Sequence, residues 1–213
     1  EMYDWIHQRD NTRPVQLEQG YGGKHTDIIC PMYSPFSELE YYASRKLSKP
    51  YILCEYAHAM GNSTGNLREF YDIMSRSPHM QGGFIWDWVD QGLDAVGCDG
   101  RHYWAYGGDF GAWMYTHDEN FCCNGLVRPD WSLTSKSYNT KKVYQPLEFK
   151  AVKGKKNTFL IKNKLDFLPS TTYDVSYELL NEEGKQLYAG IIDLEVAPND
   201  SSTITLDLSA INN

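Results

Sequence analysis

Hydrophobic positions along the first 145 residues change period several times, and each change predicts an element. Met2, Trp5 and Ile6 share one helical face, and the turn "DNTRP" (10–14) should stop that helix. "VQLE" (15–18) reads as a short strand ahead of a Gly-rich loop, and "DIICPMY" (27–33) as a second. In "SELEYYASR" (37–45), Ser37 and Glu40 have capping-box spacing, and Leu39, Tyr42 and Ala43 lie on one side. "PYILCEY" (50–56) is a third strand. Leu67, Phe70, Tyr71 and Met74 stand at i, i+3, i+4 and i+7, a helix that Pro78 ends, and "GGFIWDWVD" (82–90) is a fourth strand. Apolar strands alternating with amphipathic helices predict parallel pairing with both faces covered. Residues 91–131 read as an irregular loop, and a last helix is expected over 133–145.

After Pro146 the period shortens to two. "LEFKAVK", "TFLIKNKL", "YDVSYELL", "KQLYAGIIDLEV" and "STITLDL" are strand-like runs separated by turns such as "GKKN" and "NEEGK". Tyr173, Val175, Tyr177 and Leu179 alternate with polar neighbours, the pattern of an antiparallel sandwich with one face in and one out. Two domains follow: an α/β domain over residues 1–146 and an all-β domain over 147–213. Five strands are few for an immunoglobulin-like sandwich, so a truncated one is expected. The opening "EMYDWIHQRD" has no initiator Met and reads as mid-helix, as in a piece of a longer protein.

A formal charge of −8 with no basic run argues against a nucleic-acid partner. No stretch of apolar residues is long enough to predict a membrane span. Tyr and Trp cluster between Trp86 and Trp131 beside Gly and Asp, which suits either core packing or the stacking faces of a sugar cleft. Cys30, Cys54, Cys98, Cys122 and Cys123 are odd in number and form no CxxC, so reduced thiols are expected rather than zinc ligands. The compartment stays open between cytoplasm and periplasm.

Parallel α/β architectures put reacting groups at the carboxyl ends of strands. Glu18, Tyr33, Glu55 and the Trp86-Asp87 pair have that address. Glu55 is either a reacting carboxylate or a buried one paired with an arginine. His58, three residues on, either contacts a ligand or bonds to backbone. No second histidine stands at zinc spacing, "GNSTGN" and "YGGDFG" lack a P-loop lysine or GxGxxG, and no GxSxG elbow occurs.

"ILCEYAHAMGNS", with "DIICPMY" before it and "QGGFIWDWVDQGL", "YGGDFG" and "FCCNGLV" after it, resembles the bacterial β-galactosidases of glycoside hydrolase family 2 from about Tyr3 to Gln145. The β-glucuronidases and β-mannosidases of that family lack "AHAMGN" and are less similar. Residues after Pro146 are similar, through weaker motifs, to the sandwich that follows the family's barrel. The resemblance implies the C-terminal half of a (β/α)8 TIM barrel plus a truncated immunoglobulin-like β-sandwich. It also implies a retaining glycosidase that cleaves terminal β-galactosides through a galactosyl-enzyme. Glu55 matches the nucleophile and Tyr33 the tyrosine that hydrogen-bonds it; His58 and Trp86 match residues that contact galactose. Asn124 and the Phe121 carbonyl match ligands of a sodium ion that meets the sugar. Cys123 stands where many relatives carry methionine. The acid/base belongs to an Asn-Glu pair on an earlier strand, with the magnesium ligands; here Asn181-Glu182 alone has that sequence, in a turn of the second domain. The chain alone is therefore expected to be inactive, with the missing barrel half as partner, and a homo-oligomer is expected. A non-catalytic carbohydrate-binding or scaffold module is the alternative.

Overall fold

The computed structural model describes residues 1–111 and 116–208, so residues 112–115 of the expected 91–131 loop lie outside the described residues. The chain divides into two compact units, Glu1–Val143 and Tyr144–Asn213.

The first unit is mixed α/β. Helix α1 (Met2–Arg9) is followed by a 3-10 turn, Glu18–Gly20; α2 (Phe36–Ala43) leads to β1 (Tyr51–Tyr56), α3 (Leu67–Met74) and β2 (Met80–Ile85). β1 and β2 pair in parallel, as the alternation of strands and helices predicts. Residues 27–33 run parallel along the other side of β1, but as isolated bridges rather than a continuous strand. Pro31 is the reason. Ile29 N–H donates to Pro50 O (2.9 Å) and Cys54 N–H to Pro31 O (3.2 Å), while the rung between them needs an N–H that proline lacks. Residues 15–18 make one parallel bridge, Gln16 with Ile28, before Glu18 enters the 3-10 turn. Four parallel segments thus lie side by side, in an open arrangement with no closed barrel among the described residues.

The helices cover one face. Leu39 of α2, Leu67, Ile73 and Met74 of α3, and Val143 pack with Tyr51, Leu53, Tyr56 and Met80. Ring contacts tighten the layer: Phe36 lies 4.6 Å from Phe70 and Tyr42 4.8 Å from Tyr51. The expected capping box does not form. Pro35, at φ −67°, is the N-cap of α2, Ser37 lies inside the helix, and Glu40 pairs with Arg76 beyond α3. The fourth strand starts earlier than expected and leaves β1 after Ile85. Residues 87–90 then bond to 124–127, through Asp87 N–H to Asn124 O (2.8 Å) and Leu126 N–H to Asp87 O (3.1 Å). Inside the expected loop the chain builds an antiparallel hairpin, β3 (Leu93–Val96) with β4 (His102–Ala105). Helix α4 (Ser135–Tyr144) closes the region, within the span expected.

The second unit is entirely antiparallel. β5 (Leu147–Ala151), β6 (Thr158–Asn163) and β9 (Ser201–Thr205) form one sheet, and β7 (Val175–Leu180) with β8 (Gln186–Ile192) a second. Leu147, Ile161, Val175, Leu194 and Val196 make its core. Among them Asn163 is fully buried, yet satisfied: its Nδ2 donates to Leu168 O (2.9 Å) and Val196 O (3.1 Å), and its Oδ1 accepts from Leu165 N–H (3.0 Å). No helix among the described residues is long and apolar enough to cross a membrane.

Candidate active site

β1 aims a carboxylate by breaking its own alternation. Tyr51 and Leu53, both 0% exposed, face the helices, and strict period two would send Glu55 in after them. Instead the register moves from Leu53 opposite Gly83 to Tyr56 opposite Ile85, so β1 spends one residue more than β2. That bulge puts Tyr56, 1% exposed, into the core and leaves Glu55 half-buried outside it.

Tyr33 meets Glu55 twice. Its N–H donates to Glu55 O at 2.9 Å, and its phenol donates a hydrogen bond to the Glu55 carboxylate. Desolvation of the phenol, and then the adjacent Glu55, push the Tyr33 pKa well above its ordinary range. At neutral pH the Tyr33 phenol therefore stays protonated and can donate. Its backbone is left-handed, φ 51°, a conformation uncommon for a bulky residue and held here by those contacts.

From this pair the other candidates follow by contact. The His58 ring stands edge-on to Tyr33 (6.0 Å) and stacked on Phe121 (5.6 Å, 25°). Ala59 N–H donates to Trp86 O (2.7 Å) and Trp86 N–H to Tyr56 O (3.1 Å), tying the loop after β1 to the end of β2. Trp86 stays 39% exposed, and its peptide bond to Asp87 is cis. Asn124 is 2% exposed and donates through Nδ2 to Phe121 O at 3.0 Å. Glu18, which shared the strand-end address, begins the 3-10 turn.

Four side-chain atoms here are buried without a hydrogen-bond partner among the described residues: His58 Nε2, Ser63 Oγ, Asp87 Oδ1 and Asn124 Oδ1. Native interiors hold few such atoms, and those of His58, Asn124 and Asp87, linked to Tyr33 and to one another through Phe121 and the Asp87 N–H to Asn124 O bond, mark a place where polar ligand atoms belong. Asp87 is part of this set. Its Oδ2 accepts from Gln91 Nε2 (2.9 Å), and burial pushes its pKa up despite that bond. Pattern reading placed Asp87 at a strand end but missed the Gln91 partner, although the i, i+4 spacing in "DWVDQ" offered it. Two further groups escaped it: the Phe121 ring, as distinct from its carbonyl, and Lys136, whose Nζ donates to Ala59 O. Cys123, next to Asn124, has its pKa pushed up to about 11 by burial and by Cys122.

Comparison with known proteins gives the family. Residues 1–149 match the family described as "Glycosyl hydrolases family 2, TIM barrel domain". The β-galactosidase of Aeromonas hydrophila is 40% identical over 218 residues, covering 96% of this chain and 21% of the relative. That of Priestia megaterium is 41% identical over 209 residues, 96% of the chain and 20% of the relative. That of Photobacterium profundum is 49% identical over 142 residues, 61% of the chain and 14% of the relative. The chain thus spans about a fifth of the length of the first two relatives, at 21% and 20%. On the family match and these identities, the chain belongs to glycoside hydrolase family 2, its first 149 residues to the TIM barrel domain of that family.

Proposed function

We propose that this chain carries the nucleophile, and several of the galactose contacts, of a retaining β-galactosidase. The observation that carries the reading is the Tyr33–Glu55 pair: a bulged strand turns a carboxylate out of the core, and a phenol hydrogen-bonds it. Glu55 attacks the anomeric carbon, forming a C–O bond to the sugar as the bond to the leaving group breaks. Tyr33 donates to the carboxylate throughout and stabilises it again when water displaces it from the sugar. His58 Nε2 and Asp87 Oδ1 have no partner among the described residues and take sugar hydroxyls, and the exposed Trp86 indole lies against an apolar sugar face. The leaving-group proton comes from an acid outside this chain, on the missing N-terminal barrel half, where the magnesium ligands also belong. The all-β unit is then part of an immunoglobulin-like sandwich, and the whole assembles as a homo-oligomer. Supporting the division of labour is the length of the relatives, about five times that of this chain.

Phe121 O and Asn124 Oδ1 fit a sodium ion. Both are oxygens, as a hard cation requires, and Oδ1 is a buried acceptor with no other partner among the described residues. When bound, the ion would supply positive charge for a sugar hydroxyl, and Asn124 with Phe121, whose ring stacks on His58, would hold it. Asn124→Ala in the full-length protein is expected to raise KM on the order of tenfold at saturating sodium, about 1.4 kcal/mol of binding, with little change in kcat. The parent's KM should fall as sodium is added and the variant's should barely respond; equal sodium dependence in both removes Asn124 from the site.

The stereochemical outcome tests the reaction itself. Full-length protein and an aryl β-galactoside, followed by proton NMR before mutarotation, should release β-galactose first. Release of the α-anomer would mean inversion, and no turnover of any galactoside would exclude the substrate class.

A further inference from the structure

Two thiols lie side by side in the turn between the proposed oxygen ligands. Cys122 and Cys123 are chain neighbours, both free and both half-buried, with their thiols in hydrogen-bond contact with each other. The turn beneath them is fixed from several directions. Phe121 N–H donates to Asp118 O, Cys123 N–H to Asn120 O and Gln91 N–H to Cys122 O, each at 2.9 Å. The other sulfur contact is loose, Cys122 Sγ to Glu119 O at 4.0 Å. A pair of soft donors is therefore held together on a hydrogen-bonded turn, with neither thiol committed to a strong partner among the described residues.

We propose that Cys122 and Cys123 form a dithiol site for a soft, thiophilic centre of the trivalent-arsenic class, distinct from the hard-oxygen pair of Phe121 and Asn124. Soft centres take thiolate sulfur in preference to oxygen, and two sulfurs on one turn chelate where one would only bind reversibly. The step balances without an oxidant. An organic arsenoxide forms two As–S bonds, its oxygen leaves as water, and that water carries both thiol protons. The remaining cysteines do not offer this arrangement as neighbours in sequence: Cys98 is exposed on the β3–β4 hairpin, while Cys30 is buried and Cys54 half-buried on adjacent strand segments. The inference does not depend on the glycosidase reading, because its readout is the adduct.

Phenylarsine oxide added to the full-length protein should leave one equivalent bound after a wash with excess monothiol, and a dithiol should remove it. Peptide mapping of the parent protein should find the arsenic bridging Cys122 and Cys123, which requires no variant to fold. Cys122→Ser and Cys123→Ser should each weaken retention on the order of 10²-fold, the loss of one arm of a chelate. Release by the monothiol wash, or a bridge mapped to Cys30 and Cys54, would overturn the assignment. Retention in either serine variant equal to the parent's would do the same.

Discussion

Glu55→Gln in the full-length protein is expected to lower turnover of a chromogenic β-galactoside by at least about 10³-fold, with galactose analogues still bound. Glutamine matches the carboxylate in size and keeps an oxygen that accepts from Tyr33. It has no charge to offer the anomeric carbon and cannot form the glycosyl ester. The fold should tolerate the change, since Glu55 is half-buried and its backbone partner, Tyr33 N–H, is unaffected. Loss of activity with an unchanged unfolding midpoint is therefore the expected combination. Activity within tenfold of the parent would remove Glu55 from its role.

Gly125→Ala should do its damage through the backbone. A Cβ at this position would lie 2.1 Å from Asp90 N, 2.4 Å from Val89 C and 2.6 Å from Val127 O, all main-chain atoms that cannot swing aside. Gly125 N–H also donates to Asp90 Oδ1 at 2.7 Å, and the preceding Asn124 accepts from Asp87 N–H. Any side chain must push residues 87–90 away from 124–127, carrying Trp86 and Asn124 apart together. We expect a destabilisation of about 3 kcal/mol or more, read as a lower urea midpoint, together with weaker sugar binding. Gly65→Ala is the control. No atom lies within 4 Å of a Cβ there, so its midpoint should stay close to the parent's. A Gly125→Ala protein with the parent's midpoint and KM would show that the two segments are not packed as described.

What the sequence made legible follows from which interactions are local. β1 and α3 were readable because apolar spacing within ten residues determines which face is buried. The 27–33 segment was readable as extended, but Pro31 interrupts its ladder, which alternation alone does not reveal. The β3–β4 hairpin was missed because "LDAV" and "HYWA" are short and partly polar, with little more than the "DG" turn at 99–100 to mark them. Strict alternation misplaces Glu55 itself, since the bulge depends on the register of β2. Its candidacy came from seeing a carboxylate at a strand end, and its role from a family resemblance. The stacking of Phe121 on His58, and the orphaned oxygens of Asp87 and Asn124, join distant stretches of chain. No periodicity encodes such meetings, so only the folded chain reveals them.

The most direct measurement is to trap the covalent intermediate. Full-length protein is incubated with a 2-deoxy-2-fluoro-β-galactoside bearing a good leaving group, because the fluorine slows both formation and hydrolysis of the glycosyl-enzyme while the activated leaving group restores only its formation, so the ester accumulates. Intact mass and peptide mapping then locate the sugar. A single fluorogalactosyl ester on Glu55 is expected, with activity returning as the adduct turns over. An ester on another carboxylate, such as Glu18 or Asp87, would contradict the assignment of Glu55 as nucleophile.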